Sequence, residues 1–410
     1  MSETIYSKNR ILYKYNNANE SVKVVPTDIL QMPFDDQTYE FGSTMTASFS
    51  TGDFFVDSAK SYVNLEVELQ GDNVNPLQAS WGVGSANNLF SSIRIYHKSG
   101  TLISQAQNID LWKKSNDVLS KDAFWLSTVG FIAGYRSDPL TNPIWTQIAP
   151  EKRTFKIKLC DLHPFFKGKD QKLIPKEIIN DLRIEMDINT IGRAITTVVG
   201  SPSITKATIT KCDIQVAIVE LMDEAQDVVS DIANKEGLNW SFSDVFITTK
   251  QIAANENAIN MSLDKAVSAA QNVMTFCRPS NADTSTEIDS YKYQKMSGAI
   301  VWNYRINNQL YPYKRAVNDG FDTYTTAIDC YEWNHGHNMT YEEFEDNNHV
   351  YLTCLKTDDH IESSGEYLNA NKKVELELNK TTSVSDRLVH IALQYNKLLN
   401  VNTVNSRLDE

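Results

Sequence analysis

Residues 154–189, TFKIKLCDLHPFFKGKDQKLIPKEIINDLRIEMDIN, contain two strand patterns joined by a crossing with two prolines. Apolar and polar residues alternate over residues 155–160 and again over residues 182–189. Successive side chains of a strand point to opposite faces, so each segment buries one face and exposes the other. The connector is too apolar for a free surface loop, with apolar runs at residues 164–166 and 173–175. We therefore expect it to pack over one end of a sheet while the chain crosses from one sheet to another.

The composition is that of a globular protein large enough for two domains. The chain has 410 residues, and a domain typically takes about 150. Aromatic residues make up 10% of the sequence, with 18 tyrosines and 7 tryptophans, and this enrichment favours β-structure. We expect an all-β protein with two domains.

Charge and hydropathy exclude several classes of function. The net charge of −13 argues against tight, sequence-specific nucleic-acid binding, which normally needs a basic face. No stretch approaches the ~20 consecutive apolar residues of a membrane helix, and the first residues lack the apolar core of a secretory signal. We therefore expect synthesis in a reducing compartment. The five cysteines, odd in number and widely spaced, are expected to be buried thiols rather than disulfides or metal ligands.

Alternating segments recur in both halves of the chain. In the first half they include residues 62–70, a hairpin at residues 89–103 and a closing strand at residues 209–221. The closing strand is apolar on one face and partly apolar on the other, so we expect it in the centre of its sheet. The second half has comparable segments at residues 240–249, 258–263, 299–311, 373–378 and 388–395.

A long excursion interrupts the strands of each half. The first covers residues 124–145 and follows a predicted helix at residues 109–119, with Asn108 as its candidate N-cap. The second covers residues 317–348 and includes a predicted helix near residues 323–333. Long ordered loops of this kind usually carry contacts.

An acidic helical pattern separates the two halves. Apolar residues recur at helical spacing over residues 222–237, and Gly237 stands where a C-terminal cap belongs. We expect an N-terminal arm at residues 1–20, a first β-domain at 21–221, a connecting helix at 222–237 and a second β-domain at 238–410.

Three motifs, in this order, resemble a known family. They are the crossing at residues 154–189, the strand, turn and Tyr-Pro of INNQLYP at residues 306–312, and the turn SGEYLN at residues 364–369. The sequence resembles the double jelly-roll major capsid proteins of icosahedral DNA viruses, including the polinton-like, virophage and tailless bacteriophage lineages. The resemblance implies two consecutive eight-stranded antiparallel jelly rolls, with short helices at the junction and in the excursions.

The resemblance also implies a function and partners. Such a chain is expected to be a structural protein of the virion, made in the host cytoplasm, that self-assembles as pseudo-hexagonal homotrimers tiling an icosahedral shell around a DNA genome. Penton and minor or cement proteins are expected partners, and an internal membrane is left open as one. The excursions would form outward towers and trimer contacts, with aromatic and histidine candidates at Phe124, Trp125, Tyr135, Trp145, Trp333, His335 and His337.

The N-terminal arm has two interpretations. Tyr6, Arg10, Tyr13 and Lys14 are candidates for contacts on the inner face of a shell, with a neighbour, a membrane surface or nucleic acid. The alternative is a terminus that makes no such contacts.

No catalytic, metal-binding or cofactor-binding residues are predicted. The pair His335 and His337 resembles part of a zinc site, but no cysteine or third histidine stands at a motif spacing. We favour a hydrated loop between subunits. Two further alternatives stay open: a lectin-like carbohydrate-binding β-sandwich protein that does not depend on secretion, and an enzyme with a cupin-like roll, which would need a metal cluster that the sequence does not provide.

Overall fold

The computed structural model describes residues 25–97, 100–168, 173–221, 223–235, 237–253, 256, 258–296, 298–306, 308–312, 315–330, 339–355, 366–368, 374–380, 387–401 and 406–409. The predicted N-terminal arm, with Tyr6, Arg10, Tyr13 and Lys14, lies outside these residues. So do Trp333, His335 and His337.

Most of the described chain is antiparallel β-structure. The strands are β1 (Val25–Pro33), β2 (Tyr39–Glu40), β3 (Thr44–Ser48), β4 (Phe55–Gln70), β5 (Ala79–Trp81), β6 (Phe90–His97), β7 (Thr101–Gln107), β8 (Glu151–Lys158), β9 (Arg183–Ile188), β10 (Ile195–Thr197), β11 (Lys206–Glu220), β12 (Leu238–Ile252), β13 (Ala258–Leu263), β14 (Val267–Pro279), β15 (Ala299–Ile306), β16 (Gln309–Tyr311), β17 (Val317–Asn318), β18 (Val350–Cys354), β19 (Glu366–Leu368), β20 (Val374–Lys380), β21 (Arg387–Val401) and β22 (Ser406–Asp409).

Helices are short and lie between the strands. The α-helices are Ile109–Ser120, Ala123–Ser127, Val129–Ile132, Leu159–Leu162, Pro164–Lys167, Lys176–Ile179, Ile191–Ala194, Asp223–Lys235, Phe321–Cys330 and Tyr341–Asn347. Two 3₁₀ turns occur at Ala86–Leu89 and Ala282–Thr284. Within the described ranges, no helix is both long and apolar enough to span a membrane.

The first half of the chain folds into a roll of eight main strands. One sheet has the order β1-β11-β4-β8 and the other has the order β3-β9-β6-β7. All of these pairings are antiparallel. Two four-stranded sheets that exchange strands in this way form a jelly roll. The closing strand β11 lies between β1 and β4, as predicted for a central strand.

The second half repeats this order. Its sheets run β12-β21-β14-β18 and β13-β20-β15-β16, with β17, β19 and β22 added at the sides. The corresponding strands therefore occupy the same places in both halves. The expected fold of two consecutive eight-stranded jelly rolls is confirmed.

The crossing that suggested the fold joins the two sheets of the first roll. β8 belongs to one sheet and β9 to the other, which confirms the predicted change of sheet. The first strand ends at Lys158, two residues earlier than predicted, because Leu159 begins a helical turn. Phe165, Phe166 and Ile174 of the connector are fully buried, so the connector packs into the core.

No disulfide joins any two of the five cysteines. Cys212 and Cys277 are buried, as expected, whereas Cys160, Cys330 and Cys354 are only half-buried. The expectation of burial is therefore wrong for three of the five. These three stand at the ends of strands or helices, where one side of the chain faces solvent.

Candidate functional site

Two surfaces are candidates for function: the junction between the rolls and the exposed sides of the excursions. Among the residues that the structure describes, no group of three or more histidine, cysteine or carboxylate side chains is arranged to hold a metal ion. Hydrogen bonds and close contacts connect the two rolls at the junction, and the excursions carry exposed aromatic side chains.

A buried polar network centred on Asp110 joins the rolls. Arg193 donates to both carboxylate oxygens of Asp110, at 2.7 and 2.8 Å. Asn189 Nδ2, also from the first roll, donates to Asp110 Oδ2 at 2.9 Å. The hydroxyl of Tyr291, from the second roll, lies 2.7 Å from the same oxygen. Burial acts to lower the pKa of Arg193, but the Asp110 carboxylate outweighs it and raises that pKa. The carboxylate is thus held by donors from both rolls.

The second roll approaches the first closely at two glycines. A Cβ atom on Gly192 would lie 2.9 Å from the carbonyl oxygen of Asp283, and one on Gly82 would lie 2.5 Å from the side chains of Asp289 and Tyr291. Asp289 in turn accepts from the backbone N–H of Val83 at 2.8 Å. A side chain at Gly192 would therefore collide with the backbone of the second roll, and one at Gly82 would require the side chains of Asp289 and Tyr291 to move.

A second network lies where the crossing meets the second roll. His163 Nδ1 accepts from the backbone N–H of Phe165 at 3.1 Å, so its proton is on Nε2, which lies 3.2 Å from Ser104 Oγ. Ser104 donates to Asp244 at 2.8 Å, and Lys397 forms a 3.0 Å ion pair with Asp244. Burial lowers the pKa of His163 to about 4. The imidazole is therefore neutral at pH 7.

This network has the residue types of a hydrolase triad but not its arrangement. In a triad the carboxylate orients the histidine and the histidine activates the serine. Here the carboxylate of Asp244 accepts from Ser104 itself, and Ser104 and His163 are at most 1% exposed. A cleft of about 320 Å³ lies beside the network, but the Ser104 hydroxyl is committed to Asp244. The arrangement joins the rolls and does not activate a nucleophile.

Aromatic packing reinforces this part of the junction. The ring of Phe165 lies 5.1 Å from that of Phe242 and 6.3 Å from that of Trp240, both on β12 of the second roll. Trp240 Nε1 also donates to the carbonyl oxygen of Phe165 at 2.9 Å. The predicted packing of the connector therefore extends across to the other roll.

Lys114 joins the first roll to the second excursion. Its ammonium group donates to the carbonyl oxygen of Asn347 at 2.7 Å and to Asn348 Oδ1 at 2.6 Å. It also lies 4.3 Å from the centre of the Tyr293 ring. Burial lowers the pKa of Lys114 to about 7, although Asp289 opposes the shift.

The first excursion is fixed to its roll by backbone hydrogen bonds. Arg136 and Gly84 exchange both of their backbone bonds, at 2.8 and 3.1 Å. Of the predicted contact residues, Phe124 is 74% exposed, whereas Trp125 and Tyr135 are half-buried. Trp145 is fully buried against Trp81 and Phe155. We therefore correct its assignment: it is a core residue, because Ala79 pairs its backbone into the roll, and cannot contact another copy.

The second excursion carries an aromatic cluster on two helices. The ring of Phe321 lies 6.0 Å from that of Tyr324 and 5.6 Å from that of Tyr341. Phe321 is nevertheless 65% exposed. Behind the cluster, His349 Nε2 lies 3.2 Å from Asp319 Oδ1 in a buried pair. The predicted helix begins at Phe321, two residues earlier than expected, and ends at Cys330.

The sequence did not reveal the residues of the junction. Asp110 and Arg193 are 83 positions apart, and Asp110 and Tyr291 are 181 apart. None of the three belongs to a local motif, and alternation of polar and apolar residues says nothing about which buried polar groups will meet. The glycines Gly82 and Gly192 were the nearest signal, since a residue without a Cβ atom permits a close approach of the backbone.

Comparison with known proteins gives similarity in structure rather than in sequence. No protein-family model and no curated protein matches the sequence. The major capsid protein of Faustovirus is similar over 98% of both chains, with a TM-score of 0.64 at 8% identity. A PBCV-1 virus capsid model is similar over 93% of this chain and 96% of that one, with a TM-score of 0.64 at 12% identity.

A third solved structure agrees with these two. The major capsid protein of mavirus is similar over 97% of this chain and 94% of its own, with a TM-score of 0.57 at 11% identity. The likeness covers both rolls and the excursions between their strands. Over nearly its whole length, therefore, the chain has the double jelly-roll fold of these viral capsid proteins.

Proposed function

We propose that this chain is a major capsid protein that forms pseudo-hexagonal homotrimers, and that these trimers tile an icosahedral shell around a DNA genome. The observation that carries the proposal is the repeated strand order of two rolls held side by side in one chain. The capsid proteins of PBCV-1, Faustovirus and mavirus support the proposal, because they share this fold over more than nine-tenths of the chain.

The repeated roll explains how a trimer can occupy a lattice position that has roughly sixfold symmetry. Three copies bring six similar rolls, so a trimer offers six roughly equivalent sides to its neighbours. Closed point-group symmetry is the usual arrangement of copies of one chain. A lattice of such trimers needs each roll at a constant angle to its partner.

The contacts at the junction hold the two rolls at a constant angle to each other. Side-chain networks at Asp110 and Asp244 and close backbone approach at Gly82 and Gly192 connect the rolls at several separate points. Fully satisfied buried networks of this kind specify one arrangement. The proposed role is structural and non-enzymatic.

The proposal extends to partners and location. The shell would be completed by penton and minor or cement proteins, made with this chain in the host cytoplasm, and an internal membrane is a further candidate partner. The arm residues Tyr6, Arg10, Tyr13 and Lys14 would contact the inner side of the shell. No observation favours the lectin-like alternative, and we do not propose it.

The native mass of the purified protein tests the proposal. The chain has a mass of 46.4 kDa, so light scattering on a sizing column should give about 139 kDa, three times that value, or larger shells built from it. Electron microscopy of the larger species should show hexagonal outlines. A monomer that stays monomeric at high concentration would contradict the proposal.

A further inference from the structure

The exposed apolar side chains are concentrated on the first excursion. Four of the fourteen exposed large hydrophobic side chains among the described residues lie in residues 124–145: Phe124, Phe131, Ile132 and Leu140. Concentrations of this kind usually mark a surface that another molecule covers. Two short helices, Ala123–Ser127 and Val129–Ile132, pack on each other and carry three of the four.

This surface is almost uncharged. Residues 124–145 contain one arginine and one aspartate. The guanidinium carbon of Arg136 lies 5.6 Å from the centre of the Phe131 ring, and Arg136 forms no ion pair with any residue that the structure describes. An apolar surface with one unpaired cation is therefore available, and the backbone pairing of Arg136 with Gly84 holds it in place.

The second excursion presents the opposite combination. Residues 317–348 contain eight carboxylates and no lysine or arginine. Phe321 is exposed within its aromatic cluster, directly beside Asp322, and the Tyr341 ring that it contacts precedes Glu342. Neither carboxylate forms an ion pair among the described residues. Lys295 pairs with Asp319 and Glu345, which leaves Asp322 and Glu342 as the carboxylates available to a neighbouring cation.

These charges decide which surfaces can meet. A twofold contact would place a second excursion against its own copy and bring Asp322 and Glu342 of both copies together, and like charges in contact are costly. The first excursion instead offers apolar area and a cation. Contact between unlike surfaces is heterologous, and it closes into a ring when the rotation between copies permits.

We infer that Phe131 and Arg136 of one copy dock against Phe321, Asp322 and Glu342 of the next copy. The partner is a second copy of this chain, and the contact rests on the proposed homotrimer, whose members it would join head to tail. Each chain then uses its first excursion on one neighbour and its second excursion on the other. Within one chain, the second excursion already contacts the first roll at Asn347, whose carbonyl oxygen accepts a hydrogen bond from Lys114.

Site-directed cross-linking of mixed chains tests this pairing. Full-length Phe131→Cys and Phe321→Cys chains are prepared separately, mixed under assembly conditions and treated with a short bismaleimide. A linked dimer of about 93 kDa, twice the chain mass, is expected in the mixture and not in either variant alone. The wild-type chain, with its five cysteines, gives the background. Both substitutions are at exposed positions, and unchanged circular dichroism would show that the folds are intact.

A matched control uses an exposed hydrophobic residue elsewhere. Ile29 on the edge strand β1 is 61% exposed, so a mixture of Phe131→Cys and Ile29→Cys chains should give only background. Linking of Phe131→Cys to itself, or equal linking to Ile29→Cys, would overturn the inference. If light scattering shows trimers but the first mixture is not linked, the pairing is wrong and the proposed trimer stands. If only monomers form, both are wrong.

Discussion

Asp110 brings hydrogen-bond donors from both rolls together at one carboxylate. Its carboxylate is fully buried and receives hydrogen bonds from Arg193 and Asn189 of the first roll and Tyr291 of the second. A buried charge is tolerated only when it is paired and hydrogen-bonded. Removing one member therefore harms the others.

Replacing Asp110 by alanine should lower the free energy of unfolding by roughly 3–5 kcal/mol, because it removes the main partner of the largely buried Arg193 cation and leaves only Asp283, 3.9 Å away. Urea unfolding followed by tryptophan fluorescence measures the change. The control is Asp231→Ala, which breaks an ion pair with Lys235 whose side chains are 66% and 70% exposed. That loss should stay below about 1 kcal/mol. Equal losses in the two variants would argue against the role of Asp110.

His163 makes the junction sensitive to acid. Burial lowers its pKa to about 4 in the folded protein, whereas the pKa in an unfolded chain is about 6.5. Between these values the unfolded chain binds a proton that the folded one does not, so acid favours unfolding. Protonation would also put a hydrogen on Nδ1, which accepts from Phe165. The free energy of unfolding should fall as the pH decreases from about 6.5 to 4, by up to about 1.4 kcal/mol per pH unit.

The variant His163→Asn separates this effect from other titrations. Asparagine offers an oxygen for the Phe165 N–H but does not titrate, so the pH dependence between 6.5 and 4 should become shallower. His390, whose pKa is also lowered, first by burial and then by Arg278, keeps part of the slope. Unfolding measured at several pH values gives both curves, and parallel curves would contradict the assignment.

At the scale of residues, the sequence predicts which apolar side chains are buried better than which polar ones are paired. Alternation placed Phe155 and Ile157 in the core, where they are. The prediction failed for Trp145, which was placed among the contact residues of the excursion at residues 124–145. The backbone of Trp145 pairs with Ala79, and no local pattern reports a contact so distant in sequence.

The connector between β8 and β9 is the element that unites the chain. Within its own roll it crosses between sheets, and its Phe165 ring packs on Phe242 of the other roll. Its proximity to Trp240 requires Gly168, where φ is +57° and a Cβ atom would lie 2.8 Å from the indole ring. The connector thus packs against the hydrophobic cores of both rolls.

Replacing Phe165 by alanine should lower the free energy of unfolding by about 3–5 kcal/mol, since it removes a fully buried aromatic ring and leaves a cavity. The matched control is Phe131→Ala, at a ring that is 62% exposed. That change should stay within about 0.5 kcal/mol for the isolated chain. Chemical unfolding of both variants measures the difference. A small loss of unfolding free energy in the Phe165→Ala variant would mean that packing of the connector contributes little to stability.

Elements with alternating patterns could be predicted, and those without could not. Strand β13 has the predicted bounds, Ala258–Leu263, and the helix Asp223–Lys235 lies within the predicted junction segment. No prediction was made for β14, Val267–Pro279, which is buried at nearly every position. A strand covered on both faces lacks the alternation on which prediction depends.

The charge of the whole molecule sets how copies approach each other. Each chain carries a net charge of −13, so the proposed trimers repel one another at long range. Salt shortens that range from about 10 Å at 0.1 M to about 3 Å at 1 M. The fraction of protein in assemblies larger than a trimer should therefore rise with sodium chloride concentration. Light scattering across a salt series measures it, and a falling fraction would mean that attraction between unlike charges dominates.

The position of β11 in its sheet has a consequence for synthesis. It is the last strand of the first roll to leave the ribosome, yet β1 pairs with it alone among the main strands of that sheet. Until residue 220 has emerged, β1 and one side of β4 are open edges, which other chains can pair with. A nascent chain therefore passes through its period of greatest aggregation risk just before the first roll closes, and again before β21 closes the second. Slow translation after residue 221 would let the first roll close before the second begins.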